Sequence, residues 1–172
     1  MHLETQRLRI RPTTHSDLPA LYAYLSLEDV TPFLPGGVHS LDDVKVLIDK
    51  PYPHTFSITL LNGRLIGHLL FHPWFVKETY ELGWVIAPKY QGKGYASEAA
   101  RAAMDYGFSE MRLHRIIATA QPENPASWRV MEKIGMRKEA HSKQCLPQPD
   151  GTWWDEVFYA LLREEWQPFQ RP

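Results

Sequence analysis

Leu8 and Ile10 alternate with Arg7, Arg9 and Arg11, a period of two that predicts a short strand over Leu8–Pro12. The period then lengthens: Leu18, Leu21, Tyr22 and Leu25 recur at helical spacing. Ahead of them Thr14 and Asp17 stand three apart, as a capping box requires. Val30–Val38 carries Pro32, Pro35, Gly36 and Gly37 and reads as a loop. Ser40 caps a second short helix over Leu41–Asp49, which Lys50–His54 ends. Two β-rich runs, Thr55–Leu61 and Arg64–Phe71, flank Asn62-Gly63, the sequence of a tight hairpin turn. A third run, Thr79–Ala87, continues an antiparallel meander. Next comes a helix from Tyr95 to Phe108, whose Ala96, Ala99, Ala100 and Ala103 make a narrow face suited to lie close on a sheet. Arg115–Ala120 is a further strand. The helix within Gln121–Met136 is punctuated at both ends, by Asn124 as N-cap with Pro125 behind it and by Gly135 past its end. Glu156–Leu162 is the last strand, entered through the loop Leu146–Trp154. No repeat or linker divides the chain, so the order argues one mixed α/β or α+β domain over residues 1–172.

Composition narrows the function classes. A chain of 172 residues, 44% apolar and 23% charged, buries a core without needing disulfides or metal. Its net charge of -1 gives no overall field toward nucleic acid or an anionic membrane, so neither is expected as a partner. Cys145 is the one cysteine and has no internal partner, which fits a reducing cytoplasm, and nothing around it suggests an activated thiol. No signal-peptide pattern opens the sequence and no apolar run is long enough to span a bilayer, so the expected protein is soluble and cytoplasmic. The histidines are scattered; His68 and His72 share strand context without a third ligand, and no metal is expected.

The candidate chemistry sits in Gln91-Gly92-Lys93-Gly94, between the apolar run Leu82–Ala87 and the alanine-rich helix. Such a turn offers backbone N–H groups at the positive end of a helix dipole, which suits a phosphate or pyrophosphate. A P-loop needs GxxxxGK[ST], which the sequence lacks. A dinucleotide fingerprint fits poorly as well, because Ala96 comes one place early, Ser97 holds the third small position and antiparallel hairpins precede it. On the glycines alone, a plain connecting turn stands beside the anion site.

Further residues separate these readings. Gln91-x-x-Gly94-x-Ala96, preceded by Trp84–Pro88 and followed some way on by Glu123–Ser127, resembles the [Q/R]-x-x-G-x-[G/A] hallmark of the GNAT superfamily of N-acetyltransferases. The resemblance runs from Leu3 to Trp166 through four segments in the family's order: Leu3–Leu18, Tyr80–Ala99, Asn124–Met136 and Tyr159–Trp166. It is strongest to the branch of ribosomal-protein N-terminal (alanine/serine) acetyltransferases. The resemblance implies a central, mainly antiparallel twisted sheet flanked by helices, with two central strands splayed to form a coenzyme A slot. It implies acetyl transfer from acetyl-coenzyme A to a primary amine by direct attack in a ternary complex.

By the same resemblance the pyrophosphate rests on the amides of Gln91, Gly92, Lys93, Gly94, Tyr95 and Ala96, with Ser97 in the same turn and Lys93 and Lys89 near the phosphates. The pantetheine arm follows the backbone of Val85 and Ile86. Asn124 bonds that arm or serves as an N-cap alone. Ser127 protonates the departing thiolate or is an ordinary first-turn serine. Glu81 is the best-placed carboxylate for a base acting through water, with an exposed strand residue as the other reading. Some relatives carry a glutamate on the next strand, where this sequence has Thr119, so the base stays open. Trp153 and Trp154 are core anchors or part of an acceptor wall, and Arg112, His114 and Arg115 make a solvated basic face. The loops Val30–Ser40 and Lys50–Thr55 border the acceptor site. The acceptor is a protein N-terminus or a small amine such as an aminoglycoside, a polyamine or an amino-acid derivative, and the enzyme is a monomer or homodimer. A non-catalytic acyl-coenzyme A-binding module is the reading from another class.

Overall fold

Arginines at 7, 9 and 11 keep Leu8 and Ile10 turned inward, and this alternation makes β2 (Leu8–Pro12), paired on one side with β1 (Leu3–Glu4) and on the other with β3 (Thr55–Leu60). The structure is a computed structural model and describes residues 1–34, 36–49, 54–148 and 150–167. The remaining elements are α1 (Leu18–Leu25), α2 (Leu41–Ile48), β4 (Leu65–Pro73), β5 (Thr79–Ile86), α3 (Tyr95–Ser109), β6 (Arg115–Ala120), α4 (Pro125–Lys133), β7 (Arg137–Pro147) and β8 (Trp153–Leu162). The strands hydrogen-bond in the order β1-β2-β3-β4-β5-β6-β8-β7. The chain divides into two compact units, Met1–His72 with Gly83–Ala103, and Pro73–Leu82 with Met104–Pro172.

In the first unit β1, β2, β3 and β4 are antiparallel, with Ile10 opposite Ile58 and Ile58 opposite Gly67. The Asn62-Gly63 turn forms, in a longer version than the two-residue turn its sequence suggests. Leu60 N–H bonds the Arg64 carbonyl, Gly63 N–H bonds the Leu60 carbonyl, and Gly63 takes φ +86°. That is the three-residue hairpin with glycine in the left-handed position. Both predicted caps are present. Thr14 N–H bonds Asp17 Oδ2 at 3.0 Å ahead of α1, and Ser40 Oγ accepts from Asp43 N–H at 3.2 Å at the start of α2. The predicted end of α2 at Lys50–Pro53, and Pro35 in the preceding loop, lie outside the described residues.

The inward face of α1 differs from the expected one. Tyr22 is 38% exposed, whereas Tyr24 is 4% exposed and sits with Leu21 and Leu25 in the core beside Val44. Tyr24 tolerates burial because its hydroxyl meets His68 Nδ1 at 2.6 Å. Nearby, Arg11 grips Asp17 with two bonds of 2.7 Å, and Ser57 Oγ donates to Asp17 Oδ2 at 3.0 Å. Burial opposes charge on Asp17, but the bonds from Arg11, Thr14 and Ser57 outweigh it and hold the carboxyl below its ordinary range.

Burial, aided by nearby His39, pushes the His68 imidazole down to about 4. Its folded-state value therefore lies below the unfolded value, and the unfolded chain binds the extra proton as pH falls from 6.5 toward 4. Stability from this group is full above 6.5 and declines across that window by about 3 kcal/mol in all. Urea midpoints measured at pH 7.5 and pH 5 should record most of that decline. A Tyr24→Phe/His68→Leu variant, which removes both partners, should lose that part of the slope.

In the second unit β5 runs parallel to β6, pairing Thr79 with Arg115, Tyr80 with Ile116 and Glu81 with Ile117. The pairs β6–β8 and β8–β7 are antiparallel. Asn124 caps α4, Pro125 holds its first position, and Gly135 at φ +93° closes it. Gly135 N–H bonds the Glu132 carbonyl and Met136 N–H bonds the Met131 carbonyl, the paired bonds of a Schellman ending. No apolar alternation marks β7 in the sequence, because none of its residues is buried. An edge strand rich in charge is a common way to block further pairing. Its partner β8 starts at Trp153, so Leu146, Pro147, Trp153 and Trp154 belong to strands where a loop was expected.

Candidate functional site

Residues Val85, Ile86, Gln91, Gly92, Lys93, Gly94, Tyr95, Ala96 and Ser97 follow one another in the first unit, from the end of β5 through the turn into α3. Gly92 and Gly94 adopt φ +72° and +78°, angles that other residues rarely take. A side chain at Gly92 would meet open space, and one at Gly94 only Arg7 Nη2 at 3.6 Å, so the turn presents bare backbone to a ligand. The first intrahelical bond joins Glu98 N–H to the Gly94 carbonyl at 3.1 Å. The amides just ahead of it are those a helix leaves unpaired, and the dipole adds partial positive charge there.

The turn is held from both sides. Gln91 Nε2 donates to the Ile86 carbonyl at 2.9 Å and its backbone N–H donates to the Pro88 carbonyl at 3.1 Å, so Gln91, expected from the sequence to offer its amide to a phosphate, instead braces the turn and leaves that role to the amides after it. Arg7 Nη1 donates to the Lys93 carbonyl at 3.0 Å, and its guanidinium lies 4.6 Å above the Tyr95 ring. The same arginine bonds Glu98 Oε2 at 2.6 Å, while Thr5 Oγ1 donates to Glu98 Oε1 at 2.6 Å. Glu98 would otherwise repel an anion at the start of α3; Arg7 offsets that charge. Lys93 Nζ turns back to the Lys89 carbonyl at 3.0 Å. Neither Arg7 nor its role is visible in the local sequence, since its partner lies 91 positions away.

Val85 and Ile86 are buried, which accords with core side chains and leaves their backbone as the part in question. Across from them Gly67 lets the strands approach closely: a side chain there would collide with the Val85 carbonyl oxygen.

In the second unit Asn124 Oδ1 accepts from Ser127 N–H at 3.2 Å, so the cap is made by the oxygen and the amide nitrogen is left for other bonds. Ser127 is partly exposed in the first turn of α4. Glu81 is partly buried and accepts a hydrogen bond from Thr119 Oγ1 at 3.3 Å. Burial raises the Glu156 carboxyl above its ordinary value and the charge of Glu81 adds to that, with the nearby Thr119 hydroxyl acting in the other direction. Glu156 carries no motif that would single it out in the sequence. Trp153 is 55% exposed and is no core anchor. Among the described residues no cluster of three or more His, Cys, Asp or Glu is arranged to hold a metal ion, and no helix is long and apolar enough to cross a membrane.

Residues 7–137 match the family described as Acetyltransferase (GNAT) domain. The chain is 49% identical over 170 residues to the Bacillus subtilis (strain 168) protein named Uncharacterized N-acetyltransferase YnaD, covering 96% of this chain and 99% of that one. It is 39% identical over 87 residues to the [Ribosomal protein uS5]-alanine N-acetyltransferase of Escherichia coli (strain K12), covering 51% and 44% of the two chains. The crystal structure of an acetyltransferase of the GNAT family from Bacillus anthracis superposes with a TM-score of 0.93 at 48% identity, covering 96% of this chain and 100% of that one.

Proposed function

Because the chain belongs to the GNAT family of acetyltransferases, we propose that it moves the acetyl group of acetyl-coenzyme A onto the α-amine of a protein N-terminus. Acetyl transfer from acetyl-coenzyme A to an amine is the family's reaction, and this chain is an N-acetyltransferase. The protein acceptor rests on one observation, the stretch shared with the ribosomal-protein alanine N-acetyltransferase. Physical chemistry supports the same choice. An α-amine is about a tenth neutral at pH 7, while a lysine side chain is neutral in fewer than about one molecule in a thousand. A site whose candidate base is Glu81 has correspondingly less deprotonation to perform on an N-terminus.

In this proposal the amides of Gly92 to Ala96 bind the pyrophosphate of coenzyme A, and the backbone of Val85 and Ile86 reads the pantetheine amides as it would a strand. Asn124 donates from its free amide nitrogen to the arm, Glu81 takes the acceptor's proton and Ser127 supplies a proton to the departing sulfur.

Thiol release from acetyl-coenzyme A, measured across peptides with free α-amines, the same peptides with blocked α-amines, polyamines and aminoglycosides, tests the acceptor. Free-α-amine peptides should be turned over and blocked ones should not. Turnover confined to a small amine would move the acceptor class, and binding without turnover on any amine would favour a non-catalytic module. With the best acceptor, Ser127→Ala should lower kcat by about tenfold to a hundredfold while leaving coenzyme A affinity unchanged. Equal rates would return Ser127 to a surface role.

A further inference from the structure

Thr119 and Glu156 lie directly behind the proposed proton acceptor. Glu81 stands opposite Ile117 in the parallel β5–β6 pairing, and Thr119 is two residues further along β6, on the same face. Thr119 in turn stands opposite Phe158, and Glu156 precedes Phe158 by two residues on β8. The three side chains therefore share one face of the second unit's strands. The opposite face is the one α4 covers, where Tyr159 bonds Glu132 at 3.1 Å.

A threonine hydroxyl has a single proton to donate. Thr119 gives it to Glu81 Oε1 at 3.3 Å, and the register sets Glu156 on the same face as the second carboxylate near that hydroxyl. It cannot donate to both carboxylates at once, so a proton added at Glu81 frees the hydroxyl to turn to Glu156. We propose that Thr119 and Glu156 form a proton relay behind Glu81, with Glu156 as the residue that finally holds the acceptor's proton. The inference rests on the reading of Glu81 as proton acceptor.

The step balances. The amine nitrogen forms its bond to the thioester carbon as the carbon–sulfur bond breaks, and the electron pair of that bond leaves with the sulfur. The N–H proton passes to the Glu81 carboxylate. Glu81 then donates it to Thr119 Oγ1 while Thr119 passes its own proton to Glu156, so Glu81 is again an anion and Glu156 is neutral. Burial and the charge of Glu81 already favour the protonated form of Glu156, which makes it the better end of the relay. Charged groups on the neighbouring strands have partners of their own: Arg115, on the same face of β6, pairs with Glu139. On β7 the residue facing Glu156 is Ser142, and His141 and Lys143 are bonded to Asp155 at 2.8 and 2.9 Å. The segment after β4 contributes Trp74, whose ring lies 6.5 Å from that of Phe158, while its Lys77 and Glu78 pair with each other at 3.6 Å.

The experiment combines pH–rate profiles with a direct titration. In Glu156→Gln and Thr119→Val, kcat should fall by about tenfold, KM for acetyl-coenzyme A should stay unchanged, and the acid limb of kcat/KM should move to lower pH. Thr119→Ser, which keeps the hydroxyl, should retain most of the wild-type rate. The double variant should be no slower than either single one, as for groups acting in one chain. Unshifted acid limbs, multiplying losses, or a Thr119→Ser variant as slow as Thr119→Val would each overturn the relay. Carbon-13 NMR of labelled glutamate carboxyls decides the point without catalysis: Glu156 should titrate above the ordinary value of about 4.3 and fall in Glu81→Gln. Titration at the ordinary value, unmoved by Glu81→Gln, would overturn the relay even in an active enzyme. Inactivity of the wild type on every amine would instead sink the acetyl-transfer reading, with the NMR titration still deciding whether the three residues share a proton.

Discussion

Gly94→Glu should abolish coenzyme A binding in a protein that still folds. Gly94 sits at φ +78° just ahead of α3, so any side chain adds roughly 1–2 kcal/mol of left-handed strain. Packing adds little to that, because the new Cβ would meet only Arg7 Nη2 at 3.6 Å, an ordinary contact with a flexible group. The damage is electrostatic. A carboxylate placed there occupies the unpaired amides that are proposed to hold the pyrophosphate, and it repels the phosphates that remain. We expect affinity for coenzyme A to fall by at least a hundredfold, roughly 3 kcal/mol, by calorimetric titration. Gly94→Ala separates the two effects, since it carries the strain without the charge and should lose about tenfold or less. A folded Gly94→Glu protein with unchanged affinity would remove the turn from the binding site.

Gly67→Ala should have the largest effect on stability of any single methyl addition described here. Gly67 lies inside β4, buried, with an ordinary backbone angle, so conformational strain is not the issue. The added Cβ would collide with the Val85 carbonyl oxygen and lie 2.9 Å from Ile86 Cδ1 and 3.1 Å from Ile86 Cα. Two of those three atoms are backbone, so relief requires β5 to move and not merely a side chain to turn. We expect a loss of about 3 kcal/mol, which for a chain of this size lowers Tm by roughly 6–12 °C. Because the displaced backbone is that of Val85 and Ile86, KM for acetyl-coenzyme A should rise with it. A Tm within about 2 °C of wild type would mean that the two strands can separate at little cost.

These two glycines also mark what the sequence could and could not reveal. Gly94 announces itself through local chemistry: a short glycine turn, a strand before it and a helix after it. The caps at Thr14, Ser40 and Asn124 are legible for the same reason, since each depends on residues within four positions. Gly67 resembles any strand glycine, and its role comes from Val85, eighteen positions on and across the sheet. Arg7 depends in the same way on Glu98. β7 escaped because an edge strand without a buried residue has no period to detect. Tyr22 and Tyr24 carry equal apolar weight in a helical pattern, and only His68 waiting opposite decides that Tyr24 is the one to bury. Glu156 looks like a surface charge until β6 and β8 bring it beside Thr119.

Amide NMR during a coenzyme A titration reads, one by one, the amides from Gly92 to Ala96 that are proposed to hold its phosphates. Large, saturable shifts are expected at Gly92, Lys93, Gly94, Tyr95 and Ala96, with pantetheine lacking the phosphates leaving them nearly unmoved. Saturable binding that leaves these five amides in place would contradict the proposed role of the turn.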